Sequence, residues 1–183
     1  MGIMVSPEIL RRFPFFASLD HATLCDLAKL GELIEVDKDE WLFHANDVAR
    51  SFYIIVDGEV ELLLSLSSKS LDRIPVTSIG KGELFGWSAL VEPHAYQLDA
   101  RCRCKATIIR MDGVEICEYL THCPDVGCLL MARISRVVGD RLNSLRVQFV
   151  SLIDGGRWQH FSARRDQYIN DGGLAKPSER NPG

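Results

Sequence analysis

The length and composition of the chain are those of an ordinary globular protein. Its 183 residues are 46% hydrophobic and 25% charged, with a formal net charge of −4, which suits one compact domain with an accessory element. This balance gives no general attraction to nucleic acid or to anionic membranes. No apolar run reaches the roughly 18 residues that a membrane span needs, and no signal peptide is evident. We therefore expect a cytoplasmic protein that does not associate with membranes.

The first 32 residues have the pattern of two short helices. Ser6-Pro7 predicts the start of the first, with serine as the N-cap and proline in the first turn. Residues 13–16, with the sequence FPFF, break that helix. Residues 18–20 predict the cap of a second helix, and Gly31 predicts its end. We assign residues 1–32 to an N-terminal helical segment.

Residues 33–123 predict a β-barrel because their hydrophobic residues form short runs with a period of two. Asp57-Gly58 lies between two such runs and is a strong hairpin signal. Asp112 then predicts the cap of a short helix that ends near Leu120. Many short strands joined by tight turns favour a jelly roll. The predicted fold is α+β and mainly β: an eight-stranded jelly-roll barrel with N-terminal helices and a long C-terminal helix.

The long helix is predicted over residues 124–153, opening at Pro124. From Val138 onward its apolar residues follow the 4-3-4-3 spacing of coiled coils. We therefore predict a parallel homodimer through residues 126–152, with a helix folded back over its own barrel as the alternative. The arginines of this helix predict either a solvated face or contact with an acidic partner. Residues 154–183 predict a tail that is partly disordered.

The chain contains six cysteines that we expect to be reduced thiols of a cytoplasmic protein. They are Cys25, Cys102, Cys104, Cys117, Cys123 and Cys128. Cys102 and Cys104 are two residues apart, so on a strand both would face the same side. Such a pair could hold a metal or act in redox chemistry, although two incidental thiols on one strand face is the simpler interpretation.

Three motifs resemble the cyclic-nucleotide-binding domain of the catabolite-activator superfamily. They are FPFFASL at residues 13–19, the hairpin SFYIIVDGEV at 51–60, and GELFG followed by Ser88-Ala89-Leu90 at 82–90. Together with the order of the predicted elements, the resemblance covers about residues 10–153. It implies a regulatory, non-enzymatic domain that binds a small molecule. Relatives often carry a winged helix-turn-helix after the long helix, but the segment after Ile153 lacks that pattern, so we expect no direct DNA binding.

The third motif resembles the start of the family's phosphate-binding cassette. In the family, a Glu after the second Gly binds the ribose hydroxyl, and an Arg further on pairs with the cyclic phosphate. Here Trp87 follows the second Gly, and His94 stands where the Arg would be. An indole donates but accepts no hydrogen bond, and an unperturbed His is mostly neutral at pH 7. The resemblance therefore predicts altered or lost binding of cyclic nucleotides.

The candidate ligand-binding residues all come from this cassette. They are Glu83, Leu84, Phe85, Gly86, Trp87, Ser88, Ala89, His94, Ala95, Tyr96 and Gln97. Arg101 and Arg103 have the wrong offset for the missing Arg, although either could reach in. We expect no fixed cofactor. The pocket binds a cyclic nucleotide or another small molecule, or Trp87 fills it and it binds no ligand. The expected partners are a second copy of the chain and a regulatory protein.

Two other functions compete with the altered sensor. One is a conventional cAMP- or cGMP-binding protein. The other is a haem or redox sensor that uses His94, His122 and the cysteines, although their spacing matches no iron–sulfur motif. No P-loop, nucleophile elbow or zinc-binding helix motif is present, so we expect no enzymatic activity. The lone acid Asp99 is interpreted as structural.

Overall fold

A computed structural model describes residues 3–65 and 73–154 of the chain as a β-roll with flanking helices. The strands are Ile3–Met4 (β1), Gly31–Val36 (β2), Trp41–Phe43 (β3), Ser51–Asp57 (β4), Val60–Ser65 (β5), Arg73–Ile79 (β6), Leu84–Phe85 (β7), Asp99–Cys102 (β8) and Ala106–Asp112 (β9). The α-helices are Pro7–Arg11 (α1), His21–Lys29 (α2), Gly113–His122 (α3) and Pro124–Asp154 (α4), and two 3-10 helices cover Pro14–Phe16 and Trp87–Leu90.

The strands form two antiparallel sheets that enclose the core. The five-stranded sheet has the order β1-β2-β9-β4-β7, and the four-stranded sheet has the order β3-β8-β5-β6. The predicted mainly-β jelly roll is confirmed. Strand β1 was not predicted, because two residues carry no periodicity; Ile3 pairs with Leu33 at the sheet edge.

The predicted hairpin at Asp57-Gly58 joins β4 to β5, and only glycine suits its turn. Gly58 has a φ of +98°, and a Cβ there would lie 2.7 Å from both Cα and Cβ of Ala106. Real Cβ atoms do not come so close to backbone atoms, and positive φ already disfavours other residues. The hairpin signal in the sequence therefore has a steric cause.

Side-chain caps fix the starts of the predicted short helices. The Ser6 side chain accepts from Ile9 N at 3.3 Å, and the Asp20 carboxylate accepts from Thr23 N at 2.7 Å. Asp112 accepts from Val114 N at 2.9 Å at the start of α3. Each cap satisfies a backbone donor that the first helical turn leaves free. These helix starts are confirmed.

The five-stranded sheet is covered on both faces. Its outer face packs against the N-terminal helical segment, where the rings of Phe52 and Phe15 lie 6.1 Å apart. Its inner face carries Ile55 and Ile108, which are paired across β4 and β9 and fully buried. The N-terminal helices are therefore part of the core and not an appendage.

The chain divides into two units between Gly139 and Asp140, a position that falls within the range of helix α4. In the first unit, Leu130 and Ile134 are buried in the core, and Arg133 donates to the carbonyl of Phe15 at 2.7 Å. In the second unit, Leu142 is 58% exposed and Phe149 is 64% exposed. The first turns of the helix are thus covered by their own chain. The predicted tail lies outside the described residues from position 155 onward.

The prediction that Cys102 and Cys104 share a strand face is wrong. Strand β8 ends at Cys102, whose thiol is buried in the core, whereas Cys104 is exposed in the following turn. Arg103 N still donates to the carbonyl of Glu59, next to the Cys102–Val60 pair, and the chain turns after this contact. All six cysteines are free thiols. None of the described helices is long and apolar enough to cross a bilayer.

Candidate ligand site

The cassette connects β7 to β8 through a tight glycine turn. Gly86 has a φ of +70°, and a Cβ there would lie 3.0 Å from the Tyr53 ring and 3.2 Å from the carbonyl of Ser51. Both the backbone conformation and the close packing therefore require glycine. The chain enters the 3-10 helix Trp87–Leu90 directly after this turn.

The residues that lead into the turn have structural contacts of their own. The carboxylate of Glu83 accepts from Gly80 N at 2.6 Å, which closes the turn between β6 and β7. Leu84 and Phe85 are buried in the core. Glu83 is therefore already engaged by its own turn.

The 3-10 helix docks against the start of α3. Ala89 is buried, and a Cβ at Gly113 would lie 2.7 Å from the Cβ of Ala89. Trp87 is half-buried and packs against the core, while Ser88 is also half-buried. The indole thus fills space at the position where the family has a carboxylate.

His94 is exposed and turned back onto its own loop. Its φ is 54°, and its Nδ1 lies 3.2 Å from the carbonyl oxygen of Ala89. A carbonyl only accepts, so this contact places the proton on Nδ1. His94 therefore stabilises the cassette loop, and its ring does not extend as the family's Arg does.

Tyr96 is buried, and its hydroxyl group is hydrogen-bonded to the backbone of a single residue, Ser51. It donates to the carbonyl of Ser51 at 2.6 Å and accepts from Ser51 N at 3.2 Å. Ala95 pairs with Val48 in an isolated bridge, and the exposed Gln97 donates to the carbonyl of Ala95. The far end of the cassette is therefore anchored to the segment before β4.

Four rings form an aromatic stack across the interior of the roll: Tyr96, Phe43, Tyr53 and Phe85. The centroid of Phe43 lies 3.7 Å from that of Tyr96 and 5.7 Å from that of Tyr53. Tyr53 in turn lies 5.0 Å from Phe85. Phe43 belongs to the four-stranded sheet, and Tyr53 and Phe85 belong to the five-stranded sheet, so the aromatic stack bridges the two.

The aromatic stack contains no charge at neutral pH. Burial raises the pKa of Tyr53 well above its ordinary value, and the neighbouring Tyr96 raises it further. Burial also raises the pKa of Tyr96, although hydrogen bonds from the Ser51 and Arg50 backbone oppose the shift. Both phenols therefore stay neutral. The interior next to the cassette is apolar, apart from hydroxyl groups that already have partners.

Arg101 is held by a glutamate of β5, and Arg103 by a glutamate of the turn that precedes β5. Arg101 Nη2 lies 3.0 Å from Glu61 Oε2, and Arg103 Nη1 lies 2.9 Å from Glu59 Oε1. Arg101 sits between the core-facing Ala100 and Cys102, so strand alternation directs its side chain to the opposite, outer face. In this conformation neither arginine replaces the missing cation of the cassette.

Sequence reasoning missed a charged cluster on that outer face. Two guanidinium groups lie over the ring of Trp41, with Arg73 4.6 Å and Arg101 5.3 Å from the ring centroid. Both distances are within the range of cation–π attraction. Three separate strands supply these residues, so no local spacing in the sequence indicates the cluster.

Asp99 lies at the edge of this cluster and is almost fully buried. Its carboxylate accepts from Ala45 N at 2.8 Å and from Arg73 Nε at 2.6 Å, and His44 Nδ1 lies 3.4 Å away. Burial alone would raise the pKa of Asp99, but the hydrogen bond from Ala45 and the Arg73 charge outweigh it and hold the pKa below its ordinary value. These contacts agree with the structural role expected for this acid.

Each of the two histidines suggested for a haem or redox sensor uses Nδ1 for a contact with a nearby backbone carbonyl. His122 Nδ1 bonds to the carbonyl of Glu118 at 2.9 Å, as His94 does to that of Ala89. Burial raises the pKa of the Cys102 thiol to about 11, which makes it a poor nucleophile. In the described part of the chain, no three cysteine, histidine or acidic residues converge as a metal site would require.

Comparison with known proteins identifies the family. A profile of the cyclic nucleotide-binding domain matches residues 33–121. A putative cyclic nucleotide-binding protein from Geobacter metallireducens is 30% identical, with a TM-score of 0.68 over 76% of this chain and 99% of that one. The chain therefore belongs to the cyclic nucleotide-binding domain family.

More distant relatives show the same fold in regulatory proteins. The sensor domain of the transcriptional regulator DNR from Pseudomonas aeruginosa has a TM-score of 0.61 at 18% identity, over 74% of this chain and 90% of that one. A putative potassium channel protein of Rhodopseudomonas palustris is 21% identical over 76% of this chain. The match spans only 33% of the length of that curated relative.

Proposed function

We propose that the chain is a non-enzymatic, cytoplasmic sensor module whose cassette no longer binds cyclic nucleotides. The observation that carries this proposal is the aromatic stack next to a cassette whose candidate cations, His94, Arg101 and Arg103, all have other partners. A cyclic phosphate that is partly buried needs a fixed counter-charge or several free donors. His94 donates to Ala89 instead, and Trp87 has no acceptor for a ribose hydroxyl.

The surroundings of the cassette favour a different class of ligand. Trp87 supplies the half-buried aromatic surface of the cassette, while Tyr96 and Phe43 are buried against each other in the core and the polar atoms of Tyr96 are already paired. Sites lined by aromatic side chains with few free polar groups take apolar or aromatic molecules. We therefore propose an uncharged aromatic ligand, whose binding shifts the module between two conformations by its differential affinity.

Restoring the two family residues tests this explanation. We expect the double variant Trp87→Glu/His94→Arg to gain saturable cAMP binding, with an affinity at least about tenfold above the wild type, because one charge-assisted contact contributes about 1.5–3 kcal/mol. Isothermal titration measures the gain. The matched control Trp87→Gln/His94→Gln alters the same positions without adding charge and should not bind. Equal affinities in the two variants would contradict the proposed role of charge.

We also propose that the module forms a homodimer through the later part of α4. The predicted interface covered residues 126–152, but Leu130 and Ile134 are buried in their own unit. The apolar positions left for a partner begin near Val138 and include Leu142 and Phe149, which are exposed. Their coiled-coil spacing supports a parallel pair. This helix would then pass a change in the cassette to a regulatory protein partner.

Sedimentation equilibrium tests the dimer. We expect the wild type to be dimeric at micromolar concentration and the variant Leu142→Asp/Phe149→Asp to be monomeric, because buried carboxylates would disrupt an apolar seam. Asn143→Asp/Gln148→Asp adds the same charge at exposed positions beside the seam and should remain dimeric. A wild type that is monomeric throughout this concentration range would rule the dimer out.

A further inference from the structure

We propose that the outer face of the five-stranded sheet carries a second ligand site, for a medium-chain carboxylate. A cavity of about 360 Å³ lies there between the sheet, the end of α1 and the turn that joins β6 to β7. This volume falls within the roughly 300–1,000 Å³ of typical small-molecule sites. None of the lining residues belongs to the candidate cassette site, so the proposal goes beyond the sensor function proposed above.

The floor of the cavity is apolar and continuous with the core. Ile9 and Phe13 contribute from the N-terminal segment, and Leu33 and Val56 contribute from β2 and β4. Phe13 is buried, and the other three are partly exposed while packing against the core. An alkyl chain placed on this floor would cover apolar surface that the chain leaves open to water, which favours binding.

The rim of the cavity carries two positive charges from separate elements. Arg12 is the C-cap residue of α1, and Lys81 lies in the turn between β6 and β7. Both are exposed, and in the described part of the chain neither side chain has an ion pair or hydrogen bond. The carboxylate of the neighbouring acid Glu83 accepts from Gly80 N at 2.6 Å, and among the described residues no ion pair joins it to Arg12 or Lys81.

The pairing of an apolar floor with a cationic rim selects an amphipathic anion. A planar guanidinium matches a carboxylate in a two-point contact, and the lysine adds a point charge. The turn that holds Lys81 is fixed by the hydrogen bond from Gly82 N to the carbonyl of Ile55 at 2.8 Å. The lysine is therefore anchored at its backbone, and a carboxylate bound there would bridge α1 to the strand that enters the cassette.

Titration of the full chain with decanoate, followed by methyl NMR, tests the proposal. We expect saturable shifts at the methyl groups of Ile9, Leu33 and Val56, with a Kd on the order of 0.1–1 mM. The methyls of Leu90, which belong to the cassette, should not shift. Shifts centred on Leu90, or no saturable shifts at all, would overturn the second site. Neither result would bear on the proposed loss of cyclic nucleotide binding by the cassette.

Charge variants decide whether the rim selects the anion. We expect Arg12→Gln/Lys81→Gln to weaken decanoate binding about tenfold, since each exposed charge contributes up to about fivefold, and to leave decanol binding unchanged. The matched control Arg11→Gln/Lys38→Gln removes two exposed charges that do not line the cavity and should bind decanoate as the wild type does. If both double variants bind decanoate equally, the carboxylate assignment is wrong.

Discussion

Phe43→Ala is expected to lower the free energy of unfolding by about 3–5 kcal/mol, the usual cost of removing a buried aromatic ring. The ring of Phe43 is stacked on Tyr96 at 3.7 Å and also contacts Tyr53, so it joins the two sheets. Its loss would leave a cavity at the centre of the aromatic stack, and neighbouring strands could collapse into it only in part. Urea unfolding at equilibrium measures the change.

Two further variants distinguish the effect of losing the stacked ring from the effect of losing apolar contacts in general. Phe43→Leu keeps an apolar side chain without the ring and should lose distinctly less stability than Phe43→Ala. Val114→Ala shortens the side chain of a residue that is 68% exposed, and its free energy of unfolding should stay within about 0.5 kcal/mol of that of the wild type. A loss for Phe43→Ala no larger than that of Val114→Ala would show that the interior is not held together as described.

Asp99→Asn is expected to cost about 2–3 kcal/mol at pH 7, because it leaves the buried end of Arg73 without its counter-charge. Part of that charge stays accessible to water, since the Arg73 side chain is 29% exposed, which keeps the loss below that of a fully buried pair. The control Glu35→Gln breaks an exposed pair with Lys105 and should cost no more than about 0.5 kcal/mol.

The stability difference at Asp99 should depend on pH in a defined direction. The folded-state pKa of Asp99 is held below the unfolded value, which is about 4. The folded state therefore binds fewer protons than the unfolded state. The stabilisation that ionised Asp99 gives to the folded state is complete above about pH 4, and it is lost as the pH falls through the folded pKa. Unfolding curves should show a constant gap between wild type and Asp99→Asn above pH 5 that closes in acid. A gap that widens in acid would contradict this assignment.

The parts of the fold that the sequence could predict are those with local causes. Asp112 caps α3 through its own side chain, and Gly58 is required by the turn that it forms. The tight turn at Gly86 was likewise visible in GELFG, because its conformation and its packing both require glycine. Such features depend on a few consecutive residues, which a single sequence displays directly.

The parts that the sequence could not predict depend on which strands become neighbours. Tyr96 lies in a cassette loop by its position, yet its ring enters the core because Phe43 and Ser51 meet it there. Arg101 follows the cassette closely, but strand alternation turns it outward to Glu61. In both cases the partners are at least 40 residues away along the chain, and local pattern carries no information about them.

Isothermal titration of the wild-type chain with cAMP, and separately with cGMP, tests the proposed loss of the contacts that hold a cyclic nucleotide in this cassette. We expect no saturable heat with either nucleotide up to about 1 mM, a limit that corresponds to a binding free energy weaker than about −4 kcal/mol. Saturable binding of either nucleotide below that concentration would show that other groups replace the missing carboxylate and guanidinium, and would contradict the proposal.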